Sequence, residues 1–221
     1  MKLSVLIPVF NEEQTVKNLL DRVLAVPVDK ELVVVDDCST DHTWEVLQSI
    51  HDPRVRVYHH EVNQGKGTGI RTALGHATGD LVIIQDADLE YDPNDYPKLL
   101  EPVTDDKAQV VYGVRDLSGQ KPFTRLGNNF LTFVTNLLYG AHISDMETCY
   151  KLMPREVMLS LNLRPSRFQI EPEITAKLLR KGHRIVEVPI WYKPRVEKKL
   201  NPWKDGLPAL WTLLKYRFGR V

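Results

Sequence analysis

The sequence predicts an α/β fold, a single Rossmann-like domain with a mostly parallel sheet and helices on both faces. Short apolar, β-branched runs alternate with helix-forming stretches over brief polar connections, the order expected of right-handed βαβ units. The runs are apolar on successive residues rather than alternate ones, which suits strands covered on both sides. Three of them end at or near acids, and ligands of open α/β sheets bind just beyond the carboxyl ends of strands.

Residues 3–9 form a first buried strand closed by Pro8, and Asn11 is placed to cap a helix running to about residue 24. A second strand at 31–35 stops at Asp36-Asp37, and Ser39-Thr40-Asp41 caps a helix over 43–50. Strand 55–58 precedes Asn63-Gln64-Gly65-Lys66-Gly67-Thr68-Gly69, which leads into a helix ending near His76. A fourth strand at 81–84, a helix at 93–100 and a strand at 109–112 follow. The polar loop 115–122 is long enough to close over a substrate. Leu126, Phe130, Phe133, Val134, Leu137 and Leu138 then recur at helical spacing. A short strand is expected at 141–143, a helix from Glu171-Pro172-Glu173 through Lys181 stopped by Gly182, and a last strand at 184–188.

The chemistry concentrates in Leu81-Val82-Ile83-Ile84-Gln85-Asp86-Ala87-Asp88-Leu89-Glu90. Alternate residues of extended chain share a face, so Asp86 and Asp88 can converge on one hard cation while Ala87 keeps the backbone accessible. Glu90 is a third candidate ligand. Carboxylates this close repel one another unless a metal ion, Lys or Arg compensates them, and an acidic turn before Asp92-Pro93 is the plainer alternative. Glu12, Asp36 and Asp37 extend the acidic rim far enough for a ribose and base beside a diphosphate. Helix capping accounts for at least one of Asp36 and Asp37. Gly65-Lys66-Gly67 can bring backbone and an ammonium to phosphate, or simply start a helix. It lacks Walker-loop spacing, and no G-x-G-x-x-G follows the first strand, which counts against a dehydrogenase. Asp145 and Glu147 suit a general base, or equally a cap or surface ion pair. Arg195, Lys198 and Lys199 can clamp phosphates or form a solvated loop.

Composition narrows the setting. With 43% hydrophobic and 26% charged residues the chain is neither disordered nor a disulfide scaffold, and a net charge of zero argues against nucleic acid. The charge is unevenly spread: 193–221 carries eight Lys and Arg against two acids, a surplus of six, which leaves −6 on residues 1–192. A basic end on an acidic body suits contact with something anionic. Cys38 and Cys149 lie far apart without a CxxC, so neither a zinc site nor a disulfide framework is indicated, and a reduced cytoplasmic compartment is expected. The N-terminus reads as a strand rather than a signal sequence. The uncharged stretch 126–144 holds too many polar residues for a membrane span, so it is either a core helix or one lying on a membrane surface.

Leu6-Ile7-Pro8-Val9-Phe10-Asn11-Glu12-Glu13, Val35-Asp36-Asp37-Cys38-Ser39-Thr40-Asp41, Asn63-Gln64-Gly65-Lys66-Gly67 and Gln85-Asp86-Ala87-Asp88-Leu89-Glu90, in this order and spacing, resemble family 2 inverting glycosyltransferases of the GT-A fold. The likeness continues through Asp145-Met146-Glu147-Thr148-Cys149-Tyr150-Lys151, Arg167-Phe168, Glu171-Pro172-Glu173, Glu187-Val188-Pro189-Ile190 and 195–200. Nearly the whole chain is covered, and it is similar to the dolichyl-phosphate mannose synthase branch. The resemblance implies a single GT-A domain over 1–221, with 1–113 holding the nucleotide sugar, 114–192 the acceptor, and 193–221 forming a basic extension. It implies that Pro8, Phe10, Asn11, Glu12 and Asp36 line the nucleotide, with Lys66, Ala87 and Arg115 counted on the donor side. Asp86 and Asp88 would hold Mg²⁺ or Mn²⁺ against the diphosphate, with Glu90, often Gln in this branch, as the third ligand. Asp88, Asp145 and Glu147 are the catalytic candidates, and Arg195 and Lys199 match the basic loop that meets phosphates. Thr148-Cys149 replaces the usual small residue and Gly, and Arg195-Val196-Glu197-Lys198-Lys199-Leu200 replaces a Gly-x-Ser-Lys form.

The activity so implied is transfer of a sugar from a GDP- or UDP-sugar to a dolichyl or undecaprenyl phosphate by a single in-line displacement. Membrane contact is expected to be peripheral, through helix 126–139 and the basic end with Trp203 and Trp211. Three rivals stay open: transfer to a glycan hydroxyl, a sugar-phosphate nucleotidyltransferase, and a nucleotide-binding module without catalysis. The second normally has a Gly-rich basic loop where this chain has Pro8-Val9-Phe10-Asn11-Glu12.

Overall fold

The computed structural model describes residues 1–164, 169–195 and 202–219, with side chains from 206 onward in the last of these. The first half alternates strand and helix: β1 (Leu3–Val9), α1 (Val16–Ala25), β2 (Lys30–Asp36), α2 (Thr43–Gln48), β3 (Val55–His59), α3 (Lys66–His76) and β4 (Leu81–Ile84). The second half runs α4 (Tyr96–Thr104), β5 (Val110–Arg115), α5 (Pro122–Tyr139), β6 (Lys151–Pro154), α6 (Arg155–Ser160), α7 (Ile170–Arg180), β7 (Ile185–Ile190) and α8 (Pro202–Phe218). Every residue of β1, β2 and β4 is buried, as continuous apolar runs covered on both faces must be. Helix α1 buries Val16, Leu19, Leu20 and Val23 at helical spacing against them.

The seven strands of the described residues lie in the order β3-β2-β1-β4-β6-β5-β7. Strand β6 is antiparallel to both β4 and β5, and the other pairs are parallel. The chain turns to opposite sides of β1 to form β2 and β4, and at such a reversal a crevice opens at the carboxyl ends. A side chain at Gly79 would meet the carbonyl of Lys2 at 2.6 Å and Ser4 Oγ at 2.7 Å, so only glycine lets the chain enter β4 this close to β1. A second, smaller core of Leu131, Ile143, Met146, Ala176, Ala209, Leu213 and Tyr216 joins α5, α7 and α8.

Two expectations are corrected. Asn11 does not cap α1: it sits at φ 54°, and the carbonyl of Glu12 instead accepts from Thr15 and Val16, so the helix starts five residues later. Residues 141–143 are not a strand. The strand of this region is β6, inserted between β4 and β5 inside the sheet although it opens on Lys151 and closes on Pro154. Lys151 is fully buried there, donating to the carbonyls of Met146 and Thr148 and lying 4.6 Å from the centre of the Tyr112 ring. Helix α8 lies within the basic stretch 193–221.

Candidate active site

The acidic rim of the sequence is a physical edge. Asp36 ends β2, Asp86 and Asp88 follow β4, and Glu12 follows β1. The backbone at all three strand ends is forced: of the five non-glycine residues with positive φ among the described residues, Asn11, Cys38 and Leu89 sit there, at 54°, 61° and 60°. Such conformations cost energy and persist where surrounding contacts impose them, commonly at functional sites.

Around β1 and β2 the candidates fall into two groups. Pro8 is buried under α3, Phe10 is exposed on the rim, and Asn11 is held by Ser39 and Thr40. Asp36 is wholly buried and accepts from Ser39 and from the ring of His59 at 2.8 Å. Asp37 accepts from the backbone N–H groups of Gln64 at 2.9 Å and Gly65 at 2.6 Å and pairs with His60. Both aspartates therefore brace the rim, Asp37 by fixing the glycine turn (Gly65 φ 89°) that starts α3.

That turn aims Lys66 into the crevice. Its ammonium lies 2.7 Å from Asp86 and 2.6 Å from Glu171 of α7, bridging the two halves of the chain. Burial alone would depress this lysine, but Asp86 and Glu171 hold it well above its ordinary range, so it stays charged. Ala87 is buried between the two aspartates.

Opposite Lys66 stands Arg195. Its Nε donates to the carbonyl of Asp88 at 2.9 Å, its terminal nitrogens to Glu12 at 2.6 and 3.1 Å, and its backbone N–H to Glu90 Oε1 at 2.8 Å. Tyr192 donates its hydroxyl to Glu90 Oε2 at 2.8 Å, and the N–H of Lys193 reaches the carbonyl of Glu90. Both oxygens of Glu90 thus accept from the 192–195 segment, and Glu90 anchors the arginine to the end of β4. Lys199, expected to act beside Arg195, lies outside the described residues, as do Arg167 and Phe168.

The second half supplies another acid pair. Asp145 is buried and gripped by Arg115 through two side-chain bonds of 2.7 and 2.8 Å, with the backbone N–H of Arg115 adding a third at 3.2 Å. The Arg115 guanidinium lies 5.1 Å from the centre of the Tyr192 ring. Arg115 is therefore the last residue of β5, engaged with Asp145, and not part of an open loop. Glu147 differs: its Oε1 is buried with no hydrogen-bond partner.

Charge crowding has titration consequences. Burial, reinforced by Asp86 and Glu90, pushes Asp88 up to about 7. Burial, reinforced by Glu171, pushes Glu147 up to about 7, while burial lowers Lys151 to about 8. A carboxyl raised from 4.5 to about 7 by folding contributes stability that is fully present below the unfolded value and is lost as pH rises through the folded one. Glu147→Gln is therefore expected to raise Tm more at about pH 8 than at about pH 5. Parallel thermal melts of the two proteins across this range check it; a pH-independent difference would contradict the buried, ionisation-opposed carboxyl.

Sequence reasoning missed Glu171 and Tyr192 as parts of the site. Glu171 had a signal, two acids in the first turn of a helix, but that pattern also describes ordinary dipole stabilisation. Tyr192 had none.

An acid-edged crevice on a mostly parallel sheet, flanked by a lysine and an arginine, defines a GT-A type nucleotide-sugar transferase fold. More narrowly, the chain belongs to glycosyl transferase family 2, whose model matches residues 4–160. It is 30% identical over 213 residues to dolichol-phosphate mannosyltransferase of Pyrococcus furiosus, covering 91% of this chain but 60% of that protein. It is 27% identical over 245 residues to undecaprenyl-phosphate mannosyltransferase of Micrococcus luteus, covering 99% and 100%. A crystal structure of glucosyl-3-phosphoglycerate synthase from Mycobacterium tuberculosis, in complex with Mn²⁺, UDP and glucosyl-3-phosphoglycerate, superposes with a TM-score of 0.80 over 100% of this chain and 81% of that one, at 22% identity. That likeness is one of fold.

Proposed function

We propose that this protein transfers a sugar from a nucleoside-diphosphate sugar to a polyprenyl phosphate. The carrying observation is the crevice at the ends of β1 and β4, where Asp86 and Asp88 face the cations of Lys66 and Arg195. The polyprenyl-phosphate names of the two relatives support the acceptor. Hard carboxylate oxygens at Asp86 and Asp88 fit Mg²⁺ or Mn²⁺. Among the described residues no three acid, His or Cys side chains form a ready cage. A cation held by one or two carboxylates and completed by the donor diphosphate matches the habit of Mg²⁺. When bound, it would neutralise the charge of the diphosphate. Glu90 serves in this reading as the anchor of Arg195.

In the reaction the acceptor phosphate oxygen attacks the anomeric carbon as the bond to the nucleoside diphosphate breaks on the opposite face. Lys66 and Arg195 receive the negative charge that develops on the leaving group. Because a phosphate monoester has a second pKa of about 6, it arrives ionised and needs no strong base. Asp145, gripped by Arg115, positions rather than deprotonates. The unpartnered Oε1 of Glu147 favours a second reading, transfer to a sugar hydroxyl with Glu147 as base. Glu147→Gln separates the two: turnover with polyprenyl phosphate is expected to survive it, whereas an obligatory base would leave none.

GDP-mannose, UDP-glucose and UDP-N-acetylglucosamine remain the donors to test. With Mn²⁺ present, a nucleotide sugar at about 100 times its Kd adds about 2.7 kcal/mol, a Tm increase of roughly 5–10 °C for a chain of this size. Thermal-shift screening with and without EDTA measures it. A flat response to all three donors with either metal would sink the donor site.

A further inference from the structure

Both carboxylate oxygens of Asp86 accept from the Lys66 ammonium, at 2.7 and 3.0 Å. The same nitrogen lies 2.6 Å from Oε1 of Glu171, the second residue of α7. One cation therefore sits between two carboxylates that belong to different halves of the chain. A single partner is enough to neutralise a lysine, so the second carboxylate needs a reason. The side chains of Lys66 and Glu171 are 18% and 7% exposed, and an ammonium left there without an anion would be costly. In the proposed reaction Asp86 takes a divalent cation, and that cation and Lys66 then contest the same two oxygens.

Glu171 is held in place to receive the lysine. Helix α7 is tied to β5 through the hydroxyls of Tyr112 and Thr175, 3.0 Å apart, and Thr175 also donates to the carbonyl of Glu171 at 3.0 Å. Glu173, two residues on, serves other partners: its Oε1 accepts from the backbone N–H of Arg164, the ammonium of Lys177 and the hydroxyl of Tyr216. Glu171 stands in the first turn of α7, where the helix dipole favours a carboxylate charge. Cys149 also interacts with Lys66, but burial pushes its thiol well above the ordinary range, so it stays neutral and offers no countercharge. Lys66 has a flexible four-carbon stem, and passing from a position shared with Asp86 to one on Glu171 alone needs only side-chain rotation.

We propose that Glu171 is a positioning residue of the transfer reaction, the seat to which the Lys66 ammonium withdraws when a divalent cation takes Asp86, so that both positive charges occupy the donor crevice together. This deepens the proposed function, on which it rests for the claim that Asp86 ligates a cation. Held on Glu171, Lys66 stays charged within the crevice. Without that seat, Lys66 pairs with Asp86 alone and opposes the metal.

Titration of Mn²⁺ into the whole chain, alone and with UDP or GDP, with free Mn²⁺ read from its EPR signal, measures this exchange without turnover. Glu171→Gln keeps the shape of the side chain and removes its charge, and it is expected to weaken Mn²⁺ binding roughly ten- to hundredfold, the equivalent of one charge-assisted hydrogen bond. Lys66→Met removes the contesting ammonium and should bind Mn²⁺ alone at least as tightly as the parent. Adding Glu171→Gln to Lys66→Met should then change the affinity by less than about twofold, because the carboxylate acts through the lysine. Equal affinities of the parent and Glu171→Gln would overturn the proposal. So would an undiminished loss in the Lys66→Met background, which would make Glu171 a partner of the metal itself. Should Glu171→Gln fail to fold, Lys66→Met decides alone: weaker Mn²⁺ binding than the parent removes the contest on which the seat depends. A parent that binds Mn²⁺ under none of these conditions removes the metal-assisted reading, whereas a parent that binds it and a Glu171→Gln variant that binds it equally remove only the seat.

Discussion

Asp88→Asn is expected to cut the turnover of sugar transfer by roughly 10²–10³-fold, the usual effect of removing one preorganised charge-stabilising group, while raising Tm at neutral pH. Both halves have the same cause. Burial and the neighbouring charges of Asp86 and Glu90 oppose ionisation of Asp88, so the protein gives up stability to keep a carboxylate there. An isosteric neutral amide relieves the repulsion and loses the hard anionic donor. Steady-state transfer with saturating Mn²⁺, beside thermal melts of both proteins, provides the measurement. Unchanged turnover would remove Asp88 from the donor site, and a fall in Tm would show that its charge is compensated in the folded protein.

Asp145→Asn is expected to do the reverse. The Arg115–Asp145 pair is buried and bidentate, and removing one charge of such a pair costs about 3–5 kcal/mol because the other is left uncompensated. In a chain of this size that corresponds to a Tm lowered by roughly 6–20 °C. Turnover with a polyprenyl phosphate acceptor, assayed well below the lowered Tm, is expected to stay within about tenfold of the parent, since positioning is loosened but no proton transfer is lost. A collapse of several orders of magnitude with stability intact would make Asp145 the base and the acceptor a hydroxyl. Arg115→Lys should share the stability loss, because an ammonium cannot reproduce the two-pronged contact.

The first half of the fold was legible almost residue by residue because its signals are local. Strands β1, β2 and β4 carry the apolar runs Val5–Val9, Leu32–Val35 and Leu81–Ile84 just before the acids of the rim, and a sheet covered by helices on both faces favours that pattern. In the second half α4, β5, α5, α7 and β7 were legible by the same local signals, but the strand expected at 141–143 was not there and β6 was missed. Strand β6 begins with a buried lysine and ends with proline, and only the carbonyls of Met146 and Thr148 and the face of Tyr112 make that lysine tolerable. None of those partners can be read from Lys151 itself. Asn11 has a capping side chain, but its backbone lies in the left-handed region, where the chain leaves β1 toward Ser39 and Thr40.

For the candidate site the same division holds. Sequence alone determined which acids stand at strand ends, because an apolar run interrupted by Asp-x-Asp locates a sheet edge without reference to anything distant. Tertiary structure decided their partners and hence their distinct chemistry. Asp36 and Asp37 are spent on bracing the rim, Asp86 shares Lys66 with Glu171 across the two halves of the chain, and Asp145 is locked to Arg115. Glu90, which looks like a third metal ligand in the sequence, has both oxygens occupied by the segment that presents Arg195. A carboxylate's role is set by what lies within about 3 Å of its oxygens, and for Glu90 those groups are more than a hundred residues away along the chain.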